Sequence, residues 1–246
     1  MRRALFLGAA FVILTSAVQA GVVRPVDRFA VHHLQPLSQT SLAQTVTAPD
    51  PLVAVLPVVR GHQSVLVTTA AIAFAPADTL AAVIIIAATG LMLYRRGRRR
   101  AAVGWIGALL AGLAIEGVGK LLVGQIQFSP AATVFGVTLN GSYPSGHTIR
   151  SVILAAMVAT LWPRTRPWLI AWVALLTSLL ELGGLHVPSE IAGGFLAGGA
   201  LACAAVSYGR PHTPAAPVQS GGHAPAQASR PANVQGPPGA ANRGGR

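Results

Sequence analysis

The sequence predicts an all-α fold, a polytopic membrane bundle of about six transmembrane helices. Composition is the first reason, because 52% of the 246 residues are hydrophobic, only 10% are charged and the mean hydropathy is +0.58. Such values are typical of chains that lie largely within a bilayer. The second reason is a series of apolar runs long enough to span a bilayer. The third is the set of arginine clusters beside these runs.

The N-terminal segment, residues 1–20, has two interpretations. It begins with Arg2 and Arg3, continues as an apolar run and ends in small residues around Ala20. This is the pattern of a secretory signal peptide, and it fits an uncleaved first transmembrane helix equally well. The bundle has six spans if the segment is retained and five if it is cleaved. Residues 21–63, which are mixed and contain several prolines, are expected to form an extracytoplasmic segment.

Five further apolar runs predict the membrane bundle itself, which we place within residues 64–208. Their approximate bounds are 75–94, 101–124, 145–162, 168–185 and 189–208. Residues 209–246 are rich in Pro, Gly, Ala and Gln with scattered arginines, so they contain too little apolar surface to fold. We expect them to form a disordered basic cytoplasmic tail.

The basic residues predict the orientation of the bundle. The chain has 18 basic and 6 acidic residues, and the arginines lie in short clusters instead of alternating with aromatics as in many nucleic-acid-binding chains. By the positive-inside rule, the N-terminus, residues 95–100, the turn at 163–167 and the tail are cytoplasmic. The loop ending at His147 and the turn at His186 are then extracytoplasmic. The single cysteine, Cys203, excludes an intrachain disulfide.

Few ionisable side chains lie inside or at the edges of the apolar runs, where they are costly unless they are paired or functional. They are Glu116, Lys120, His147, Arg150, Glu181, His186 and Glu190. Lys120 is distinctive because it is the only lysine among the 18 basic residues. Its side chain could extend to the membrane interface, pair with Glu116 one helical turn away, or bind an anion.

The segment Tyr143-Pro144-Ser145-Gly146-His147 directly precedes an apolar run. Pro144 restricts the backbone, Gly146 allows close approach of a ligand, and Ser145 can cap the following helix. Free N–H groups and the positive dipole end at a helix start favour a phosphate or carboxylate, and His147 can donate a proton near neutral pH. The segment is either an anion-binding turn with its own acid or an ordinary loop that opens a helix.

His186 and Glu190 are four residues apart at the start of the last apolar run. On a helix, this spacing brings the carboxylate beneath the imidazole, where it can accept the Nδ1 proton and make the other ring nitrogen more basic. An imidazole oriented in this way is a nucleophile. The alternative is a helix-capping turn that contains a structural histidine.

Together, Lys120, the Pro-Ser-Gly-His segment at 144–147 and the His186–Glu190 pair resemble the signature of the type 2 phosphatidic acid phosphatase superfamily, the lipid phosphate phosphatases. The family pattern has a lysine followed seven and eight residues later by Arg-Pro, then Pro-Ser-Gly-His. An arginine then stands six residues before a histidine, which precedes an aspartate by four. The order and spacing match over roughly residues 75–208.

The chain departs from this pattern in both outer motifs. Gln127-Phe128 stands in place of Arg-Pro, Leu180 stands at the position of the last arginine, and Glu190 replaces the aspartate. Glutamine keeps a hydrogen-bond donor but lacks the charge and the bidentate fork, and leucine keeps neither. Each well-placed donor that is lost from such a site typically costs about 2.7 to 4 kcal/mol of transition-state stabilisation.

Arg150 is a candidate replacement for these cations. It lies three residues after His147, so on a helix it points to roughly the same face and could reach the phosphate site. The alternatives are extension to the membrane interface or an ion pair with Glu181 or Glu116.

The resemblance implies a set of site residues and a mechanism. His186 would attack phosphorus to form a phosphohistidine, Glu190 would orient it, and His147 would protonate the leaving group. The phosphate ligands would be Lys120, Ser145, Gly146, Gln127 and Arg150. Neither a metal nor a cofactor is expected.

The favoured function is therefore a membrane phosphatase that hydrolyses a lipid phosphate or a polyprenyl diphosphate at the extracytoplasmic face. Two alternatives remain open. One is a catalytically silent relative that binds lipid head groups or a partner, and the other is a phosphotransferase that passes the phosphoryl group to an alcohol other than water. The expected partners are the bilayer and the lipid substrate, with no nucleic acid.

Overall fold

The structure is a computed structural model that describes residues 1–34, 69, 72–123, 132–134, 137–139, 142–183 and 185–210. Within these ranges the fold is helical, as predicted, apart from a short antiparallel ladder of β1 (Ala132–Val134) and β2 (Val137–Leu139). The α-helices are α1 (Arg2–Gln19), α2 (Arg24–Leu34), α3 (Thr79–Arg95), α4 (Arg99–Leu122), α5 (Gly146–Leu161), α6 (Arg166–Leu182) and α7 (Pro188–Gly209). The ladder lies in the connection between α4 and α5.

Three of the described helices, α1, α4 and α7, are long and apolar enough to cross a membrane. The helices α3 and α5 are apolar but shorter. Each of the five predicted apolar runs in residues 64–208 corresponds to one helix from α3 to α7, and α1 corresponds to the N-terminal run.

Local sequence explains where these helices begin. Asp78 caps α3 by accepting a hydrogen bond from the Leu80 N–H at 2.9 Å, and Ser145 caps α5 through the N–H of Thr148. Pro188 is the first residue of α7, a position where the missing N–H costs nothing. Between α3 and α4, Gly97 has φ of +76°, a conformation that side-chain-bearing residues rarely adopt.

Helix α7 is central, since it packs against α1, α4 and α5. Its face towards α5 is glycine-rich, and a Cβ at Gly194 would lie 2.6 Å from the Thr148 Cβ and 2.8 Å from the Ser145 carbonyl oxygen. Small residues let two helix backbones approach closely where lipid provides no hydrophobic driving force between them. This close approach holds the start of α5 against the start of α7.

The apolar interior consists of two main clusters. The larger one is formed by α3, α4, α5 and α7, and its fully buried members include Ile86, Ile153 and Met157. The smaller one includes Phe74 and Ala77, which precede α3, together with Leu180 of α6. Burial of these side chains is the main favourable contribution to packing.

Helix α1 reaches the segment that precedes α5. The Thr15 hydroxyl lies 2.9 Å from the Tyr143 hydroxyl, and the ring of Phe11 is stacked on that of Tyr143 with centroids 6.1 Å apart. Tyr143 is completely buried, and burial raises the pKa of its phenol above the ordinary value. The N-terminal run therefore covers part of the Pro-Ser-Gly-His segment.

Helix α2 was not predicted, because the sequence of residues 21–63 was interpreted only as an extracytoplasmic segment. Its Asp27 carboxylate accepts hydrogen bonds from the Ser189 N–H at 3.1 Å and from the Ser189 hydroxyl at 2.7 Å. Burial raises the pKa of Asp27, and the bonds from Ser189 oppose that shift. The remainder of this segment, residues 35–63, and the predicted tail beyond Arg210 lie outside the described residues.

Candidate functional site

The predicted His186–Glu190 pair is formed at the start of α7. The Nδ1 atom of His186 lies 2.6 Å from the Glu190 Oε2 atom, and Glu190 is only 1% exposed. The same carboxylate accepts hydrogen bonds from the Val187 N–H at 3.3 Å and from the Ser142 hydroxyl. A carboxylate on Nδ1 fixes the tautomer that keeps the lone pair on Nε2.

Ser145 joins the middle motif to this pair. Its N–H donates to the backbone carbonyl of Glu190 at 3.0 Å. Its hydroxyl oxygen accepts from the Thr148 N–H at 3.4 Å and from the Thr148 hydroxyl at 3.0 Å. The starts of α5 and α7 are thus linked directly by hydrogen bonds, although they are more than 40 residues apart in the sequence.

His147 is the second residue of α5 and follows Gly146 directly. Its ring makes a tilted contact with Phe74, with centroids 6.0 Å apart. Its neighbours in the chain reach the other site residues, since Gly146 lies against the Glu116 carboxylate and Ser145 is bonded to the Glu190 backbone. The pieces of chain that the sequence analysis connected therefore meet in one region of the bundle.

Both candidate phosphate-binding cations pair with Glu116. The Lys120 Nζ atom lies 2.6 Å from Glu116 Oε1, and Arg150 Nη1 donates to Glu116 Oε2. Arg150 also donates from Nε to the Ala77 carbonyl at 2.7 Å and is 4% exposed. The ion-pair alternatives that the sequence left open for Lys120 and Arg150 are thus both present, each with Glu116 as partner.

The Glu116 carboxylate also lies directly against Gly146, the first residue of α5. A Cβ at position 146 would overlap the carboxyl atoms of Glu116. Gly146 therefore allows close approach of an anion to the backbone, and the group that approaches here is an internal carboxylate, whereas the sequence analysis predicted a ligand.

Leu180, at the position of the missing family arginine, is buried in the smaller apolar cluster. Ala77, whose carbonyl binds Arg150, belongs to the same cluster. Arg150 is thus bonded to the backbone of a residue that belongs to the same apolar cluster as Leu180.

The structure brings together seven of the eight predicted site residues: Lys120, Ser145, Gly146, His147, Arg150, His186 and Glu190. The eighth, Gln127, lies outside the described residues. Ser142 and the Ala77 carbonyl were not among the predicted site residues, and Glu116 was predicted only as a possible partner for a cation. The spacing of Glu116 and Lys120 by four residues was the only sequence signal for this arrangement.

In the part of the chain that the structure describes, no group of three or more His, Cys, Asp or Glu side chains is arranged to hold a metal ion. The arrangement combines two histidines, one carboxylate on the Nδ1 of the second histidine, and two cations that share the Glu116 carboxylate at the start of α5. These groups are suited to binding and transferring a negatively charged phosphoryl group.

The chain was compared with known proteins at three levels. No family model matches it, and neither a curated protein nor a solved structure is significantly similar to it.

Proposed function

We propose that this chain is a multi-pass membrane phosphatase of the type 2 phosphatidic acid phosphatase kind, hydrolysing a lipid phosphate or diphosphate through a phosphohistidine. The observation that supports it best is the His186–Glu190 pair, bonded through the Glu190 backbone to Ser145 of the Pro-Ser-Gly-His segment. A histidine fixed by a buried carboxylate, which is linked to a helix N-terminus where two cations bind Glu116, provides the groups needed for phosphoryl transfer to nitrogen.

The proposed orientation has six spans, α1 and α3 to α7, with the site on the extracytoplasmic side. Three spans meet the length and hydropathy requirement outright, and the bundle packing of the shorter helices supports their inclusion. The Met1 ammonium donates to the Ser207 hydroxyl at 3.2 Å, so the basic N-terminus lies at the same end as the C-terminus of α7. The basic turn between α3 and α4 lies at the opposite end of α4 from Lys120.

In the first step, Nε2 of His186 attacks phosphorus, forming an N–P bond while the P–O bond to the lipid alcohol or inner phosphate breaks. The electron pair of the broken bond passes to the leaving oxygen, which takes a proton from the His147 imidazolium. Glu190 stabilises the positive charge that develops on the attacking ring. Lys120 and Arg150 offset the negative charge on the phosphoryl oxygens.

In the second step, water attacks the phosphohistidine. His147, now neutral, accepts the proton of the attacking water, and the electron pair of the N–P bond returns to Nε2 of His186. Inorganic phosphate is released, and both histidines regain their initial protonation states. The net reaction is hydrolysis of one phosphoric ester or anhydride bond.

A second candidate function is that of a catalytically silent protein that binds lipid head groups. The ion pairs of Glu116 with Lys120 and Arg150 favour it, because they reduce the net charge of the anion site. In that case, replacing His186 would leave both the function and lipid binding unchanged.

The decisive experiment measures phosphate release from dioleoyl phosphatidate and from a polyprenyl diphosphate by the purified full-length protein. We expect His186→Ala to abolish turnover, with a loss of about 10⁴-fold or more, because no other group forms the covalent intermediate. The native protein should also yield an acid-labile phosphohistidine when it is quenched during turnover with radiolabelled substrate.

His32→Ala is the matched control, because it removes an exposed histidine of α2 and should leave turnover at the native rate. Turnover that persists in His186→Ala would refute the mechanism. An inactive native protein that still binds phosphatidate would establish the silent candidate instead.

A further inference from the structure

We infer that Glu116 is a built-in competitor for the anion site: its carboxylate occupies the position of the substrate phosphoryl group and must leave when substrate binds. The inference rests on the proposed function and goes beyond it by assigning a role to a residue outside the catalytic set. It concerns how tightly the site holds any phosphate, including the product.

The geometry of the carboxylate is the first argument. Glu116 binds the Lys120 ammonium at 2.6 Å with one oxygen and the Arg150 guanidinium with the other. Its carboxyl atoms also lie against Gly146 at the N-terminus of α5. These three groups are three of the predicted phosphate ligands, and all of them converge on a single carboxylate.

Chemical equivalence is the second argument. A carboxylate and a phosphate present the same kind of acceptor to an ammonium, a guanidinium fork and a helix N-terminus. A position built from these groups binds either anion, so Glu116 and a phosphoryl group cannot both hold it. A phosphate monoester has more negative charge and more acceptor oxygens, and it can therefore displace the carboxylate when it is present at sufficient concentration.

The exposure of the cluster is the third argument. The side chains of Glu116 and Lys120 are 13% and 22% exposed, so the cluster borders on solvent or head groups. Arg150 is more deeply buried and is held separately by the Ala77 carbonyl. When Glu116 turns outwards, Arg150 therefore keeps its hydrogen bond to the Ala77 carbonyl and remains directed into the site.

The consequence for turnover is that Glu116 lowers the affinity for substrate and product alike. If the carboxylate occupies the position about nine-tenths of the time, the apparent Kd of any competing anion rises about tenfold. After hydrolysis, the return of the carboxylate helps to expel inorganic phosphate. The alternative is that Glu116 acts as a positioning residue that holds Lys120 and Arg150 in place, and this predicts the opposite effect of its removal.

The test is the affinity of purified full-length protein for inorganic phosphate, measured as the rise of Tm with phosphate concentration. We expect Glu116→Gln, which keeps the shape and removes the charge, to bind phosphate about tenfold more tightly than the native protein. With dioleoyl phosphatidate, the same variant should show a lower KM and stronger inhibition by phosphate. Unchanged or weaker phosphate binding would overturn the inference.

Glu181→Gln is the matched control, since it neutralises a partly buried glutamate of α6 for which the structure gives no contact with either cation, and its phosphate affinity should be native. If Glu116→Gln does not accumulate in membranes, the phosphate affinity of Glu116→Asp is the test instead. This variant keeps the charge but shortens the reach of the carboxylate to both cations. A gain of about threefold supports the inference, and no gain overturns it.

The two proposals fail separately. Tighter phosphate binding by Glu116→Gln in a protein without phosphatase activity would refute the proposed function. The inference that Glu116 competes with phosphate would still stand. Activity that depends on His186, together with an unchanged phosphate affinity in Glu116→Gln, would refute the inference that Glu116 competes with phosphate. The proposed phosphatase function would still stand.

Discussion

Glu190 shows at the scale of one residue how the length of a side chain determines its partners. Glutamate is one methylene longer than aspartate, the residue found at this position in the pattern that the sequence resembles. In this chain the backbone of Glu190 is bonded to Ser145, and its side chain turns back to His186 and to the Val187 N–H. The longer side chain therefore serves both the histidine and the first turn of α7.

We predict that Glu190→Gln lowers kcat for phosphatidate hydrolysis by about 10² to 10⁴-fold with little change in KM. The amide keeps the size of the side chain but removes the charge that stabilises the His186 cation and can present the wrong group to Nδ1. Steady-state kinetics over a range of substrate concentrations would measure the effect, with Tm as the check on folding. A kcat equal to that of the native protein would exclude a positioning role for Glu190.

Some contacts of single residues could be predicted from the sequence, and others could not. The pairs His186–Glu190 and Glu116–Lys120 were predicted from their spacing of four, because neighbouring turns of one helix bring such residues together. The bond from Arg150 to the Ala77 carbonyl joins residues 73 positions apart, and no local rule predicts it. For the same reason, the sequence left open the three roles considered for Arg150, namely a phosphate-binding cation, extension to the membrane interface, or an ion pair with Glu181 or Glu116.

At the scale of elements, the site depends on how closely α7 approaches α5. Gly194 faces the backbone carbonyl of Ser145 and the Thr148 side chain. The N–H of Ser145 donates a hydrogen bond to the backbone carbonyl of Glu190. The approach therefore positions the Pro-Ser-Gly-His segment and the His186–Glu190 pair at once. Glycine is needed here for packing, since nothing larger fits between the two helices.

We predict that Gly194→Ala destabilises the protein by about 1 to 3 kcal/mol, because the new methyl group would overlap atoms of α5 that cannot move away cheaply. The Tm of the purified protein would show the loss, and activity should fall with it. The matched control is Gly107→Ala on α4, where an added Cβ meets nothing within 4 Å. Equal Tm values for the two variants would show that the α5–α7 contact is not tight.

Helix α2 is the element that sequence analysis missed. Its residues include Pro25 and several polar side chains, so the apolar runs that marked the other helices are absent. It is stabilised by tertiary contact, in which Asp27 accepts two hydrogen bonds from Ser189 at the start of α7. The stability of such a helix comes more from its contact with a neighbouring helix than from its own composition.

At the scale of the whole molecule, the proposed topology separates the site from the basic clusters. Lys120, Ser145 and Glu190 lie near helix ends that meet, whereas the arginines of residues 95–100 lie at the other ends of α3 and α4. A helix of 24 residues such as α4 is about 36 Å long, which exceeds the thickness of the hydrocarbon core.

We predict that the two ends are accessible from opposite sides of the membrane. In a Cys203→Ser background, Phe29→Cys on α2 should react with a membrane-impermeant maleimide added outside right-side-out vesicles. Arg98→Cys should react only after the vesicles are permeabilised. Both parent side chains are exposed, so burial would not limit the reaction.

Labelling of Arg98→Cys in sealed right-side-out vesicles would contradict the topology, and labelling of both positions from the same side would contradict the membrane-spanning assignment of α3, the helix that lies between them in the chain. The Cys203→Ser parent without a new cysteine is the control for background reaction.

The sequence by itself determined the helical class, the positions of the apolar helices and the chemistry available to the chain, because hydropathy and short-range spacing act locally. Only the tertiary structure decided that Lys120 and Arg150 share the Glu116 carboxylate, that Ser145 is bonded to Glu190, and that α2 supports the start of α7. These contacts join residues on different helices, and their partners are selected by the packing of the whole bundle.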